Sequence, residues 1–91
     1  MMVTAKVRFY GKVQGVWFRA STRDAADKRG VTGWVRNVED GSVEALFQGE
    51  KNTIDDLIDW CCNHQPYARV RRHDVTWTET DEIFSEFRIT R

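Results

Sequence analysis

The chain has 91 residues, 41% of them hydrophobic, and its 14 lysines and arginines balance 14 aspartates and glutamates. This length allows one small hydrophobic core, so we expect a single domain over residues 1–91. The balanced charge excludes a protein that binds polyanions over its whole surface, and any anion site must arise from local placement of side chains. Because no apolar run is long enough to span a membrane and no secretory leader is recognisable, we expect a cytoplasmic protein with no membrane partner.

The first two predicted elements frame a segment that suits an anion. A strand is predicted over Val3–Tyr10, where apolar and polar residues alternate, and a helix is predicted over Phe18–Arg29, closed by Gly30. The segment between them, Gly11–Trp17, contains two glycines and no acidic residue. The N–H groups at a helix start lack partners within the helix, and Arg19 adds a guanidinium in the first turn. The pattern therefore predicts an anion site with phosphate as the expected ligand.

The middle of the chain predicts a hairpin and a second helix. Two strands, 31–37 and 42–48, flank a turn built around Asp40-Gly41. In the second of these strands we expect alternate residues to face solvent: Glu44, Leu46 and Gln48. The helix that follows should begin with Asn52 or Thr53 as its cap. Its buried stripe is predicted to be Ile54, Leu57, Ile58 and Cys61.

The last part of the chain completes a two-layer fold. A strand is predicted over residues 69–78 with a bulge near Arg71-Arg72, and Phe87 and Ile89 alternate in a short final strand. The order βαββαβ, with the extra C-terminal strand, predicts an α+β fold. We expect the ferredoxin-like split βαβ sandwich, with two helices on one face of a mainly antiparallel sheet.

A second candidate residue ends the strand before the hairpin turn. Asn37 meets the loop and Arg19 if the ends of the first and second strands lie at one edge of the sheet. The fork of Arg19 then grips a phosphate in bidentate fashion beside the backbone N–H groups. The amide of Asn37, which both donates and accepts hydrogen bonds, suits a residue that holds a water molecule.

These residues form two long motifs. Residues 11–19 read G-K-V-Q-G-V-W-F-R, which resembles the first signature of the acylphosphatase family. Residues 33–49 read G-W-V-R-N-x-x-x-G-x-V-x-x-x-x-x-G, which resembles the second signature. The order of the predicted elements is also similar to that of the family along nearly the whole chain. Two motifs in the correct order within one small chain are a specific signal.

The resemblance implies metal-independent hydrolysis of the carboxyl–phosphate bond of small acyl phosphates, giving a carboxylate and inorganic phosphate, with no cofactor. It implies that Arg19 binds the phosphate and that Asn37 positions the attacking water. The loop is implied to supply backbone donors from Val13, Gln14, Gly15, Val16, Trp17 and Phe18. The chemistry fits these few groups, because a carboxylate with an aqueous pKa of about 4–5 leaves without a general acid. Phosphoryl transfer then needs mainly positioning and charge stabilisation.

The alternative is a non-catalytic ferredoxin-like binding or regulatory module. Ferredoxin-like sheets also bind single-stranded RNA through aromatic residues on the first and third strands. Here only Tyr10 is expected on the exposed face of those strands, and the net charge is zero. We therefore expect no nucleic-acid partner. Separately, we expect a monomer. The cysteines and histidines are expected to have structural or solvent-facing positions: Cys61, Cys62, His64 and His73.

Overall fold

The computed structural model describes residues 2–90, which form a five-stranded sheet covered on one face by two helices. In chain order the elements are β1 (Met2–Lys12), α1 (Phe18–Arg29), β2 (Thr32–Asn37), β3 (Val43–Glu50), α2 (Lys51–Asn63), β4 (Arg69–Thr78) and β5 (Phe87–Thr90). The strand order is β4-β1-β3-β2-β5, and all neighbours are antiparallel except β2 and β5, which are parallel. The predicted ferredoxin-like α+β arrangement is confirmed.

The core lies between the sheet and the two helices. Alternate residues of β1 and β3 point into it with no exposed surface: Ala5, Val7, Phe9, Val43, Ala45 and Phe47. α2 contributes its predicted stripe, and α1 contributes Phe18, Thr22, Ala25 and Ala26. The ring centroids of Phe9 and Phe18 lie 5.1 Å apart. The first turn of α1 is therefore fixed to β1 by an aromatic contact of a kind that adds to the area it buries.

The start of α2 differs from the prediction. The helix begins at Lys51, so neither Asn52 nor Thr53 is its cap. Glu50, the last residue of β3, takes the cap position with an extended backbone and makes no side-chain capping bond. The prediction was wrong because β3 runs directly into the helix and leaves no loop for a polar cap. None of the helices within residues 2–90 is both long enough and apolar enough to cross a membrane.

The predicted bulge is confirmed and lies just before the proposed anion loop. Tyr10 pairs with Arg72 and Gly11 pairs with Val70, so Arg71 is an extra residue in β4. Gly11 has φ +126°, and a Cβ atom there would overlap the carbonyl oxygen of Arg69. The bend that leads β1 into the loop therefore requires glycine.

The second face of the sheet is less open than predicted, because three β3 side chains expected at the surface are buried: Glu44, Leu46 and Gln48. The segment between β4 and β5 crosses one end of this face. There the Gln48 amide donates to the carbonyl oxygen of Glu82 (2.9 Å) and accepts from the N–H of Phe84 (3.0 Å). At the other end the guanidinium of Arg36 bonds the Glu44 carboxylate at 2.7 and 3.0 Å.

Candidate active site

The sheet topology brings the loop after β1 close to the end of β2. Both strands are antiparallel to β3, so they are parallel to each other and end at the same edge. Phe9 and Asn37 each pair with Val43 from opposite sides. Since neighbouring strands lie about 4.8 Å apart, the backbones of Phe9 and Asn37 are about 10 Å apart across β3.

Gln14 connects the loop to the β2–β3 hairpin. Its side-chain amide donates to the carbonyl oxygens of Val38 (2.8 Å) and Ser42 (2.9 Å), which lie on the two sides of the turn. Val38 directly follows Asn37 in the chain. These two bonds therefore fix the position of the loop relative to the Asn37 side chain.

The hairpin turn is held by bonds of its own. The Asp40 carboxylate accepts from the N–H of Ser42 (2.9 Å) and from its hydroxyl (2.5 Å), and it pairs with Arg8 at 3.1 Å. The Ser42 hydroxyl and N–H, with the guanidinium of Arg8, hold the pKa of Asp40 below its ordinary value. Gln14 therefore anchors the loop to a turn whose shape does not depend on the loop.

The start of α1 presents a series of backbone N–H groups. The N-cap residue, Trp17, has left-handed φ and ψ of 64° and 16° and makes no side-chain capping bond. The first helical N–H to donate is that of Ser21, to the carbonyl oxygen of Trp17 at 3.0 Å. Within residues 2–90, no acceptor is bonded to the N–H groups of residues 15–20, and the first turn contains no acidic residue. This end of α1 is therefore electropositive and suited to an anion.

Arg19 lies beside these N–H groups in a cleft of about 390 Å³. The cleft is lined by Val13, Gly15, Trp17, Phe18, Arg19, Ala20 and Ile89. Over the described part of the chain, no carboxylate forms an ion pair with the Arg19 guanidinium. As far as residues 2–90 line it, the cleft thus combines one cationic side chain with apolar walls.

The side chain of Asn37 has a buried oxygen. Its Oδ1 is excluded from solvent and has no hydrogen-bond partner among residues 2–90. Buried polar atoms are nearly always hydrogen-bonded, so an acceptor of this kind calls for an explanation. An O–H group brought to this edge of the sheet reaches this oxygen only after the Asn37 side chain rotates.

The structure brings together only part of the predicted site in the cleft. Gln14 is turned towards the hairpin, Val16 packs against the core, and Asn37 lies at the adjacent strand end and does not line the cleft. Two lining residues were missed, Ala20 and Ile89. Ala20 follows Arg19 in the helix and was overlooked, whereas the position of Ile89 depends on β5 lying beside β2, which no local pattern reveals.

Other reactive side chains lie away from the cleft. Burial raises the pKa of the Cys61 thiol to about 12, and its sulfur lies 3.6 Å from the Thr22 hydroxyl. Cys62, which follows Cys61 in α2, is half-buried. The two histidines lie outside the cleft lining. Over residues 2–90, no group of three histidine, cysteine, aspartate or glutamate side chains is arranged to hold a metal ion.

Known proteins resemble this chain over nearly its whole length. The family model described as acylphosphatase matches residues 5–89. The acylphosphatase of Thermoplasma volcanium is 50% identical over 91 residues, covering 100% of both chains. The chain belongs to the acylphosphatase family. The resemblance read from the two motifs is thereby confirmed, and the chain is assigned to the enzymes that hydrolyse acyl phosphates, with inorganic phosphate as a product.

Solved acylphosphatase structures share the fold. The crystal structure of acylphosphatase from Bacillus subtilis superposes with a TM-score of 0.93 at 34% identity, covering 100% of each chain. The acylphosphatase structure from Coxiella burnetii gives a TM-score of 0.91 at 36% identity, covering 98% of this chain and 93% of the other. The two-helix, five-stranded arrangement is therefore the acylphosphatase fold.

Proposed function

We propose that this acylphosphatase hydrolyses small acyl phosphates without a metal or cofactor, that Arg19 and the loop hold the phosphate, and that Asn37 positions the water. The proposal rests above all on the N–H groups of residues 15–20, which have no acceptor within residues 2–90 and lie beside the Arg19 guanidinium. Oxygens of a bound phosphate would accept bonds from these groups and from the fork of Arg19.

The transition state explains why these few groups suffice. Charge spreads over the equatorial phosphate oxygens, where preorganised N–H dipoles and a guanidinium act most strongly. The carboxylate leaves as a stable anion without a proton donor. The Asn37 side-chain amide, which both donates and accepts hydrogen bonds, would hold the attacking water and align it with phosphorus. Among residues 2–90, the cleft lining contains no histidine or carboxylate, and we assign the proton of the water to a phosphate oxygen of the substrate.

We further infer one domain that acts as a cytoplasmic monomer, without nucleic-acid or membrane partners. Arginines on the open face of the sheet pair with carboxylates of the same chain: Arg36 with Glu44, Arg72 with Asp74, and Arg88 with Glu86. Such a face has little net attraction for a polyanion. The two cysteines are free thiols, as is usual in reducing compartments.

The experiment compares release of carboxylate from acetyl phosphate by the wild type and by Arg19→Ala, Asn37→Ala and Arg23→Ala. Arg23 is a matched control, because it lies one turn further along α1 and pairs with Asp24 at 3.7 Å. We expect kcat/KM to fall by at least about 10²–10³-fold in the first two variants, with unchanged urea midpoints. The Arg23→Ala variant should remain active.

Near-wild-type turnover in Arg19→Ala or Asn37→Ala would contradict the assigned roles. Hydrolysis should continue in the presence of EDTA, and its loss would show that a metal ion takes part.

A further inference from the structure

The backbone of Trp17 is unusual for so large a residue. Among residues 2–90, Trp17 is the only residue other than glycine with a positive φ, at 64°. Glycine or asparagine adopts this left-handed region more easily than a bulky residue. Packing does not offset the strain, because 75% of the Trp17 surface is exposed. Folding alone therefore gives no reason for tryptophan at this position.

A second exposed apolar residue lines the same cleft. Ile89, which is 36% exposed, approaches from β5, on the face of the sheet where α1 packs. Among the described residues of the lining, Arg19 alone is charged. The cleft volume of about 390 Å³ is within the range of roughly 300–1,000 Å³ that is typical of small-molecule pockets. A phosphate gripped by Arg19 would fill only the polar part of this space.

The geometry of the reaction directs the rest of the substrate into the apolar part. In phosphoryl transfer the attacking and leaving oxygens lie roughly in line on opposite sides of phosphorus. A water molecule bound to Asn37 attacks from the side of the β2–β3 hairpin, so the acyl group leaves on the other side. Asn37 does not line the cleft, whereas Trp17 and Ile89 do, as this direction requires.

We propose that Trp17 and Ile89 form an acyl-group subsite that selects aromatic acyl phosphates over those with a small acyl group. The proposal rests on the function proposed above, because it takes the phosphate position from Arg19. An aromatic acyl group stacks on the exposed indole and contacts the Ile89 side chain, and both contacts bury apolar surface. An acetyl group is too small to reach both walls, so it gains little from them. Binding energy from this remote group is expressed in kcat/KM.

The test measures kcat/KM for benzoyl phosphate and for acetyl phosphate and follows the ratio of the two values. Trp17→Asn removes the aromatic face but keeps a residue that tolerates a left-handed backbone. It should lower the ratio about tenfold. Ile89→Ala should lower it roughly threefold, and Trp17→Phe should keep most of the wild-type ratio. Ile83→Ala is the matched control, because Ile83 is 71% exposed and lies outside the cleft.

The outcomes separate this proposal from the function on which it rests. The subsite is overturned if the ratio is unchanged within about twofold in both Trp17→Asn and Ile89→Ala. It is also overturned if kcat/KM falls equally for both substrates, which would mean that Trp17 only shapes the backbone. Full activity of Arg19→Ala on both substrates overturns the proposed function, while the ratio still decides the subsite. A wild type that hydrolyses neither substrate overturns both.

Discussion

Replacing Gln14 by methionine would remove the two hydrogen bonds that join the loop to the hairpin while keeping the length of the side chain. The Gln14 amide donates to the carbonyl oxygens of Val38 and Ser42. Both carbonyls keep a backbone partner in the variant: Val38 accepts from the N–H of Gly41 at 3.0 Å, and Ser42 accepts from the N–H of Val38 at 2.9 Å. The substitution therefore leaves neither carbonyl without a donor.

This residual pairing limits the cost to stability. Two ordinary hydrogen bonds lost without an orphaned acceptor should lower the free energy of unfolding by about 1–2 kcal/mol. The expected effect on catalysis is larger, because the loop is no longer fixed relative to Asn37, the residue that we propose to position the water. A displacement of about 1 Å between reacting groups costs up to about 10²-fold in rate. We expect kcat for acetyl phosphate to fall between about 10- and 100-fold.

The assay pairs urea unfolding with steady-state kinetics, and Gln48→Met is the matched control. The Gln48 side chain also makes several bonds, but it lies at the opposite end of β3 from Val43, the residue that Asn37 faces. This control should lose at least as much stability as Gln14→Met and keep its kcat. The reasoning is refuted if Gln14→Met keeps wild-type kcat, or if Gln48→Met loses as much kcat as Gln14→Met does.

Two further predictions concern the scaffold. Gly33→Ala should destabilise the protein by about 3 kcal/mol or more, because φ is +134° and the new Cβ would overlap the carbonyl oxygen of Leu46. Gly30→Ala, with φ +69° and open space around it, should cost about 1 kcal/mol; equal urea-unfolding losses would contradict this. The pKa of Asp40 is lowered below its ordinary value of 3.8, chiefly by Ser42. The stabilising effect of the Asp40 carboxylate should therefore be present above pH 3.8 and vanish as the pH falls through the lowered pKa. The stability difference between the wild type and Asp40→Asn should shrink on acidification from pH 7 to about pH 3, and a constant difference would show that the carboxylate has no such role.

The parts of the fold predicted best from the sequence are those with strong local patterns. The structure gives α1 and β4 the predicted bounds, because an apolar stripe ended by Gly30 and a β-rich run after Pro66 are visible without knowledge of neighbours. The buried state of Glu44 and Gln48 was not predictable in this way. Glu44 is covered by Arg36, its cross-strand partner in the hairpin, which the alternation of apolar and polar residues does not reveal. Gln48 is covered by the segment between β4 and β5, whose position only the complete sheet determines.

The candidate site shows the same difference between features that local patterns predict and features that depend on long-range pairing. The order of the elements alone predicts that the loop, Arg19 and Asn37 lie at one edge of the sheet, because alternating strand directions follow from that order. Gln14 was predicted only as a backbone donor of the loop. The connection of its side chain to the hairpin was not predicted, because it depends on a turn more than twenty residues away. The position of Ile89 in the cleft was not predicted, because the pairing of β5 with β2 is long-range.

The central position of β1 has a consequence for how the chain folds. Val7 faces Ala45 on one side and Val75 on the other, so β1 acquires both neighbours from remote parts of the chain. Closing such long loops costs entropy before the contacts that repay it exist, and we expect folding in roughly milliseconds to seconds, slower than a helical bundle of this size. The loop after β1 meets the hairpin only once β1 has paired with β3. Recovery of hydrolysis after dilution from denaturant should therefore report the completion of this long-range pairing.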